Sequence, residues 1–235
     1  MQVESSDQSV QFHYRILFES GEEKQFDIFL NKETLEIHHH PMEKKPEWTK
    51  LSYCQCENCP LKDIDDCPVA LNIAQLVEEF KFSVSYDKVK VQVETPERMY
   101  SQETTAQYAI SAILGIYMVT SNCPILDYLR PMVRFHLPFA TPTETVFRAV
   151  SMYLVAQHFR YRHGNKPDWT LEGLEKIYNE VAIVNKGMWG RLSKASTYDA
   201  NVNALIVLNT FGDALRSSLD KDLEGLIPLF KKYLD

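Results

Sequence analysis

An α+β fold is expected for this chain: a small N-terminal antiparallel sheet with a Cys-rich metal loop, followed by a C-terminal α-helical bundle. Three observations carry that expectation. Apolar residues alternate with polar ones through the first forty positions, which is the period of half-buried strands. Four of the five cysteines crowd into fourteen residues, Cys54, Cys56, Cys59 and Cys67. From about Ser101 the apolar spacing becomes helical and stays so. The chain then divides into two units, residues 1–100 with the sheet, the loop and one helix, and residues 101–235 with the bundle.

The first strand is read from Val10, Phe12, Tyr14, Ile16 and Phe18, which share one face. Ser20-Gly21-Glu22-Glu23 makes the turn, and Phe26, Ile28 and Leu30 alternate back as a hairpin. Leu35 and Ile37 suit a third short strand, and Lys88 to Val93 a fourth that rejoins the sheet. Between them Cys67-Pro68 starts a helix, since proline is favoured where its missing N–H has no partner anyway. Val69, Ile73, Leu76, Val77 and Phe80 form its apolar stripe. In the bundle, helices are expected near 101–120, 124–135, 142–163, 170–192, 199–219 and 222–234. Thr141-Pro142-Thr143-Glu144 is a capping box, the best-specified of these starts. His163-Gly164-Asn165-Lys166-Pro167 ends the helix that it opens.

The array C-x-C-x2-C-x7-C gathers enough thiolate to close a tetrahedral shell around one soft ion. Cys54, Cys56, Cys59 and Cys67 are therefore expected to hold a structural zinc, with no open coordination position for catalysis. An iron–sulfur cluster is the alternative, because proline follows Cys59 and Cys67 as it follows a ligand in some ferredoxins. Haem is a further one, since Cys-Pro also occurs at haem-regulatory sites and Cys123-Pro124 repeats the pair. Cys123, or an imidazole from His38-His39-His40, could replace one of the four ligands.

Charge is uneven along the bundle. Arg130 to Lys166 holds six basic residues against the single acid Glu144, in a chain whose formal charge is −7. His136 and Arg148 sit among apolar neighbours there and are candidates for binding a small anion, because a partly buried arginine must find a counter-charge. An enzyme acting on such an anion would need a carboxylate converging on the same two residues. Against this, Glu144 precedes Arg148 by four residues, the favourable order for a helical ion pair. Asp168 and Asp199 read first as helix-start residues.

The acidic total argues against nucleic acid or an anionic membrane surface as a partner. Eight glycines and no phosphate-cradling loop argue against nucleotide chemistry. Thr104–Leu126 carries no charge, yet Gln107, Ser111, Thr120 and Asn122 interrupt it, so a buried helix is expected rather than a membrane span. The first residues show no secretion signal, so the thiols are expected to meet a reducing cytoplasm. The apolar helices 101–120 and 199–219 could also face a second copy in a homo-oligomer.

The run Tyr53-Cys54-Gln55-Cys56-Glu57-Asn58-Cys59-Pro60-Leu61, with Cys67-Pro68-Val69-Ala70 and Phe135-His136-Leu137-Pro138-Phe139-Ala140, resembles a bacterial protein family of unknown function. That resemblance implies a bacterial cytosolic protein and assigns no chemistry. The resulting expectation is a non-catalytic, zinc-stabilised binding or regulatory protein with an unknown anionic ligand or protein partner. The alternatives are an enzyme for a small anion at His136 and Arg148, or an iron–sulfur or haem redox sensor.

Overall fold

The computed structural model describes residues 9–37 and 44–235, so the histidine triplet at 38–40 lies outside the described residues. The strands are β1 (Ser9–Phe18), β2 (Glu23–Asn31), β3 (Lys88–Glu94) and β4 (Met99–Thr105), in the antiparallel order β2-β1-β3-β4. The expected alternation holds in β1, where Val10, Phe12, Tyr14, Ile16 and Phe18 are all buried. Gly21 takes φ +87° in the β1–β2 turn, a conformation that costs a Cβ-bearing residue strain. The expected third strand is a single bridge, Ile37 to Leu30, because Leu35 adopts a positive φ and turns the chain.

The helices are α1 (Pro68–Glu79), α2 (Ala106–Val119), α3 (Pro131–Arg134), α4 (Pro142–Arg162), α5 (Glu172–Ala195), α6 (Ala200–Leu219) and α7 (Lys231–Leu234). Three helical expectations change. Residues 99–105 form β4, the sheet edge, with none of its residues fully buried, so it carries no alternating apolar signal. Its structure comes from the ladder with β3. Residues 124–135 break into a 3₁₀ turn at Leu126–Leu129 and the short α3, with Pro131 at the helix start. The region 222–234 is likewise mostly a 3₁₀ segment, Glu224–Phe230, with Pro228 inside it.

The boundary expected at residue 100 falls inside β4, and sheet and helices share one hydrophobic core. Phe80, at the end of α1, sits on the buried face of the sheet against Phe18 and Phe26. The apolar helices α2 and α6 pack most extensively on each other, with Gly115 of α2 opposite Leu208 of α6. Among the described residues no helix is long and apolar enough to cross a membrane.

Asp168 does hold a helix start. It accepts bonds from Gly173 N (2.7 Å), Thr170 N (3.0 Å), Thr170 Oγ1 (2.8 Å) and Tyr153 Oη (2.8 Å). Burial pushes its carboxyl up, but these donors outweigh that and hold it down to about 2. A carboxylate with a lowered folded pKa contributes stability above its unfolded value, and that contribution disappears as pH falls through the folded one. Stability should therefore fall between about pH 4 and pH 2 in part because of Asp168. Urea titrations of Asp168→Asn should show a lower plateau at neutral pH and a smaller loss across that window.

Arg191, on α5, is fully buried and donates to the carbonyls of Trp48 (2.6 Å), Lys50 (2.7 Å) and Leu51 (3.0 Å). Removing it strands three buried acceptors, so Arg191→Ala should lower unfolding free energy by about 3 kcal/mol or more. Chemical denaturation measures this, and a loss below about 1 kcal/mol would show that the loop does not depend on the guanidinium.

Candidate functional site: a helical cavity and a thiol cluster

The segment that carries α3 and the start of α4 faces α2, α5 and α6 across a cavity of about 550 Å³. Both ligand candidates from the sequence, His136 and Arg148, line it. Arg148 reaches it from the second turn of α4, whose start is the capping box: Thr141 Oγ1 accepts from Glu144 N, and the Glu144 carboxylate accepts from Thr141 N at 2.8 Å. That occupation leaves no Glu144–Arg148 ion pair among the described residues. The guanidinium instead gives one terminal nitrogen to Met132 O (3.1 Å), and its Nε is buried with no hydrogen-bond partner among them. Burial lowers the Arg148 pKa, opposed by the nearby Tyr178, Glu144 and Tyr100.

His136 follows α3 and meets the sheet. Its Nε2 lies 2.6 Å from the hydroxyl of Tyr14, which is buried on β1. A buried hydroxyl must place its proton, so we assign Tyr14 as the donor and the imidazole proton to Nδ1. Burial, and then the charge of Arg148, push His136 down to about 3, which keeps the ring neutral. Tyr178 of α5 completes the polar group, its hydroxyl donating to the weakly accepting sulfur of Met132 at 3.7 Å. Burial raises the Tyr178 hydroxyl to about 12, so it stays a donor at neutral pH.

Among the described residues Arg148 is the one charged side chain in the cavity wall. No described Asp or Glu lines it, so the converging carboxylate that an enzymatic reading calls for is not among these walls. The remainder is mostly Leu, Val, Ile, Phe, Met and Ala, with scattered amides and hydroxyls. Tyr14, Met132 and Tyr178 carry no sequence signal as site residues, because each reads as core; only the fold brings β1, α3 and α5 to one place.

The cysteine loop is closed at its neck. Leu51 N bonds Asp65 O (2.8 Å), Cys67 N bonds Thr49 O (2.7 Å), and Lys45 pairs with Asp66 (2.7 Å). The loop then lies along α5. Asn58 reaches the Glu180 carbonyl and carboxylate, Lys186 pairs with Glu57, and Gly187 leaves room for Cys56, whose Sγ would be 2.6 Å from any Cβ there. Cys56 and Cys59 span a turn in which Cys59 N bonds Cys56 O (3.1 Å), and Cys67 caps α1.

The four expected ligands have different surroundings. Cys54 takes φ +51°, packs toward Gly190 and lies 3.9 Å from Lys194 Nζ. Cys56 and Cys59 pack instead against the core that contains Cys67 and Cys123. Burial pushes the Cys56 thiol up to about 12; the neighbouring Cys67, Cys59 and Cys123 add to this, and Arg191 opposes it. Cys123 is also raised by burial and by Cys67 and Cys59, while the backbone N–H groups of Leu126 and Ile125 favour its thiolate. All five cysteines are free thiols. Among the described residues no three His, Cys, Asp or Glu side chains already stand at the spacing of a metal shell. Arg191 has no place among the sequence candidates, although it falls by helical spacing on the buried stripe Leu174, Tyr178, Val181, Val184, Met188. A cation on an apolar stripe is the signal that could have found it.

No curated protein and no solved structure matches the chain. The family described as Domain of unknown function (DUF6901) matches residues 12–231, nearly the whole fold that frames the cavity and the thiols, and the chain belongs to that family.

Proposed function

We propose that this is a binding protein for a small anion, received in the helical cavity by Arg148 with His136 and Tyr178 as further donors. The observation that carries this reading is the Arg148 guanidinium, which lines the cavity with one hydrogen bond among the described residues, to Met132 O, and is the one charge in a wall of described residues. Buried polar groups are otherwise almost always satisfied, and an arginine fork matches a carboxylate in two parallel bonds. A neutral His136 with its proton on Nδ1 adds a donor without a second charge. At matched ionic strength, benzoate near ten times its Kd should raise the unfolding midpoint by about 2–4 °C. Arg148→Gln should remove that shift. An equal shift in the variant would exclude Arg148 as the anion's partner.

A second reading, structural zinc, is supported by the gathering of Cys56, Cys59 and Cys67 with Cys123 beside buried Arg191. Four thiolates around one Zn²⁺ carry a net charge of −2, and a fully buried guanidinium that contacts only neutral carbonyls suits such a neighbour. The donors from Leu126 and Ile125 to the Cys123 sulfur suit a bound thiolate as well. In this reading Cys123 replaces Cys54, the ion clamps the loop to the turn after α2, and the site is non-catalytic. Elemental analysis of purified protein should give about one zinc per chain. Cys123→Ser and Cys56→Ser should lose it and Cys54→Ser retain it. Loss in Cys54→Ser alone would restore the set Cys54, Cys56, Cys59, Cys67, and a brown, iron-containing protein would replace zinc with a cluster.

A further inference from the structure

The cavity constrains more than the sign of its ligand's charge. Around Met132 the polar groups Arg148, His136 and Tyr178 are gathered, two of them linked to Met132 by hydrogen bonds and His136 within reach of the Arg148 charge. Facing them, α2 contributes Ala112, Gly115 and Val119, and α6 contributes Leu208 and Phe211. A bare anion such as acetate or phosphate would satisfy the guanidinium and leave those apolar walls in contact with water. A cavity of about 550 Å³ instead falls in the range that encloses an organic molecule of some size. The charge count narrows the head group. With one cation and no second positive group among the described wall residues, a dianion would hold an uncompensated charge against mostly apolar walls.

We propose that the ligand is an amphipathic monocarboxylate, its carboxylate on Arg148 and its hydrocarbon body along α2 and α6; this rests on the reading of Arg148 as an anion site. The body supplies affinity by leaving water, and the head supplies orientation and selectivity. Gly115 matters to this arrangement, since it lets Leu208 approach α2 closely and so sets the width of the apolar end.

Titration calorimetry of the full chain with hexanoate, octanoate, decanoate, octanol and octyl phosphate tests the proposal. Kd should fall by about fourfold for each methylene added between hexanoate and decanoate. Octanoate should bind at least about tenfold more tightly than octanol, and Arg148→Gln should erase that preference while keeping octanol binding. Ala112→Phe, which fills the apolar end, should weaken decanoate at least about tenfold and hexanoate by under about threefold. A Kd that does not change with chain length overturns the hydrocarbon body and leaves the anion reading intact. Octyl phosphate binding more tightly than octanoate overturns the monocarboxylate. Octanol binding as well as octanoate to the unaltered protein overturns both this inference and the anion reading beneath it. The comparisons on the unaltered chain decide the matter even where melting curves show that a variant has lost its fold.

Discussion

Arg191 ties the parts of this protein together. Its guanidinium is wholly enclosed and reaches from α5 to three carbonyls, of Trp48, Lys50 and Leu51, just before the cysteine loop. Carbonyls in an irregular segment have no ladder to satisfy them, so a buried loop is ordinarily excluded from a core. A five-donor fork solves that problem for residues 48–51 in one stroke. The neck of the loop can then close, Cys67 can sit under it as the cap of α1, and α1 can cover the sheet with Phe80 against Phe18 and Phe26. The cost is a positive charge in the interior, met there by neutral carbonyls.

Arg191 and Arg148 each bury an Nε that has no partner among the described residues, but their terminal nitrogens meet different surroundings. Arg191 has both terminal nitrogens engaged by the protein's own backbone, and its role is architectural. Arg148 has one bond to Met132 and faces a space rather than a loop. Its nearest acid in sequence, Glu144, is withdrawn by the capping box, so the same four residues that start α4 also leave its arginine without an ion pair among the described residues. Helix initiation and the lack of an ion pair at Arg148 are thereby coupled through one carboxylate.

Much of the fold is legible in local pattern. β1, β2 and β3 announce themselves by alternation because each buries one face, and α1, α4, α5 and α6 by apolar stripes with proline, capping-box or glycine punctuation. β4 does not, because an edge strand with exposed sides needs no apolar period. Residues 124–135 read as one helix because periodicity is blind to where Pro131 forces a restart. Within the sites, His136 and Arg148 stand out as polar groups in apolar surroundings. Tyr14 and Tyr178 do not, since an aromatic in a strand or stripe looks the same whether its hydroxyl faces core or cavity.

The chain's own order of residues determined which thiols were candidates and that a cationic, histidine-bearing stretch would be half enclosed. Those are properties of composition and spacing, and they survive any arrangement of the elements. Tertiary structure decided the groupings: Cys56 and Cys59 packed on the core that holds Cys67 and Cys123, Cys54 set near Gly190 and Lys194, and Arg148 with His136 and residues from β4, α2, α5 and α6 around one cavity. Contacts between residues more than a hundred positions apart depend on how helices and sheet pack, and packing is settled by the whole apolar surface at once rather than by any local motif.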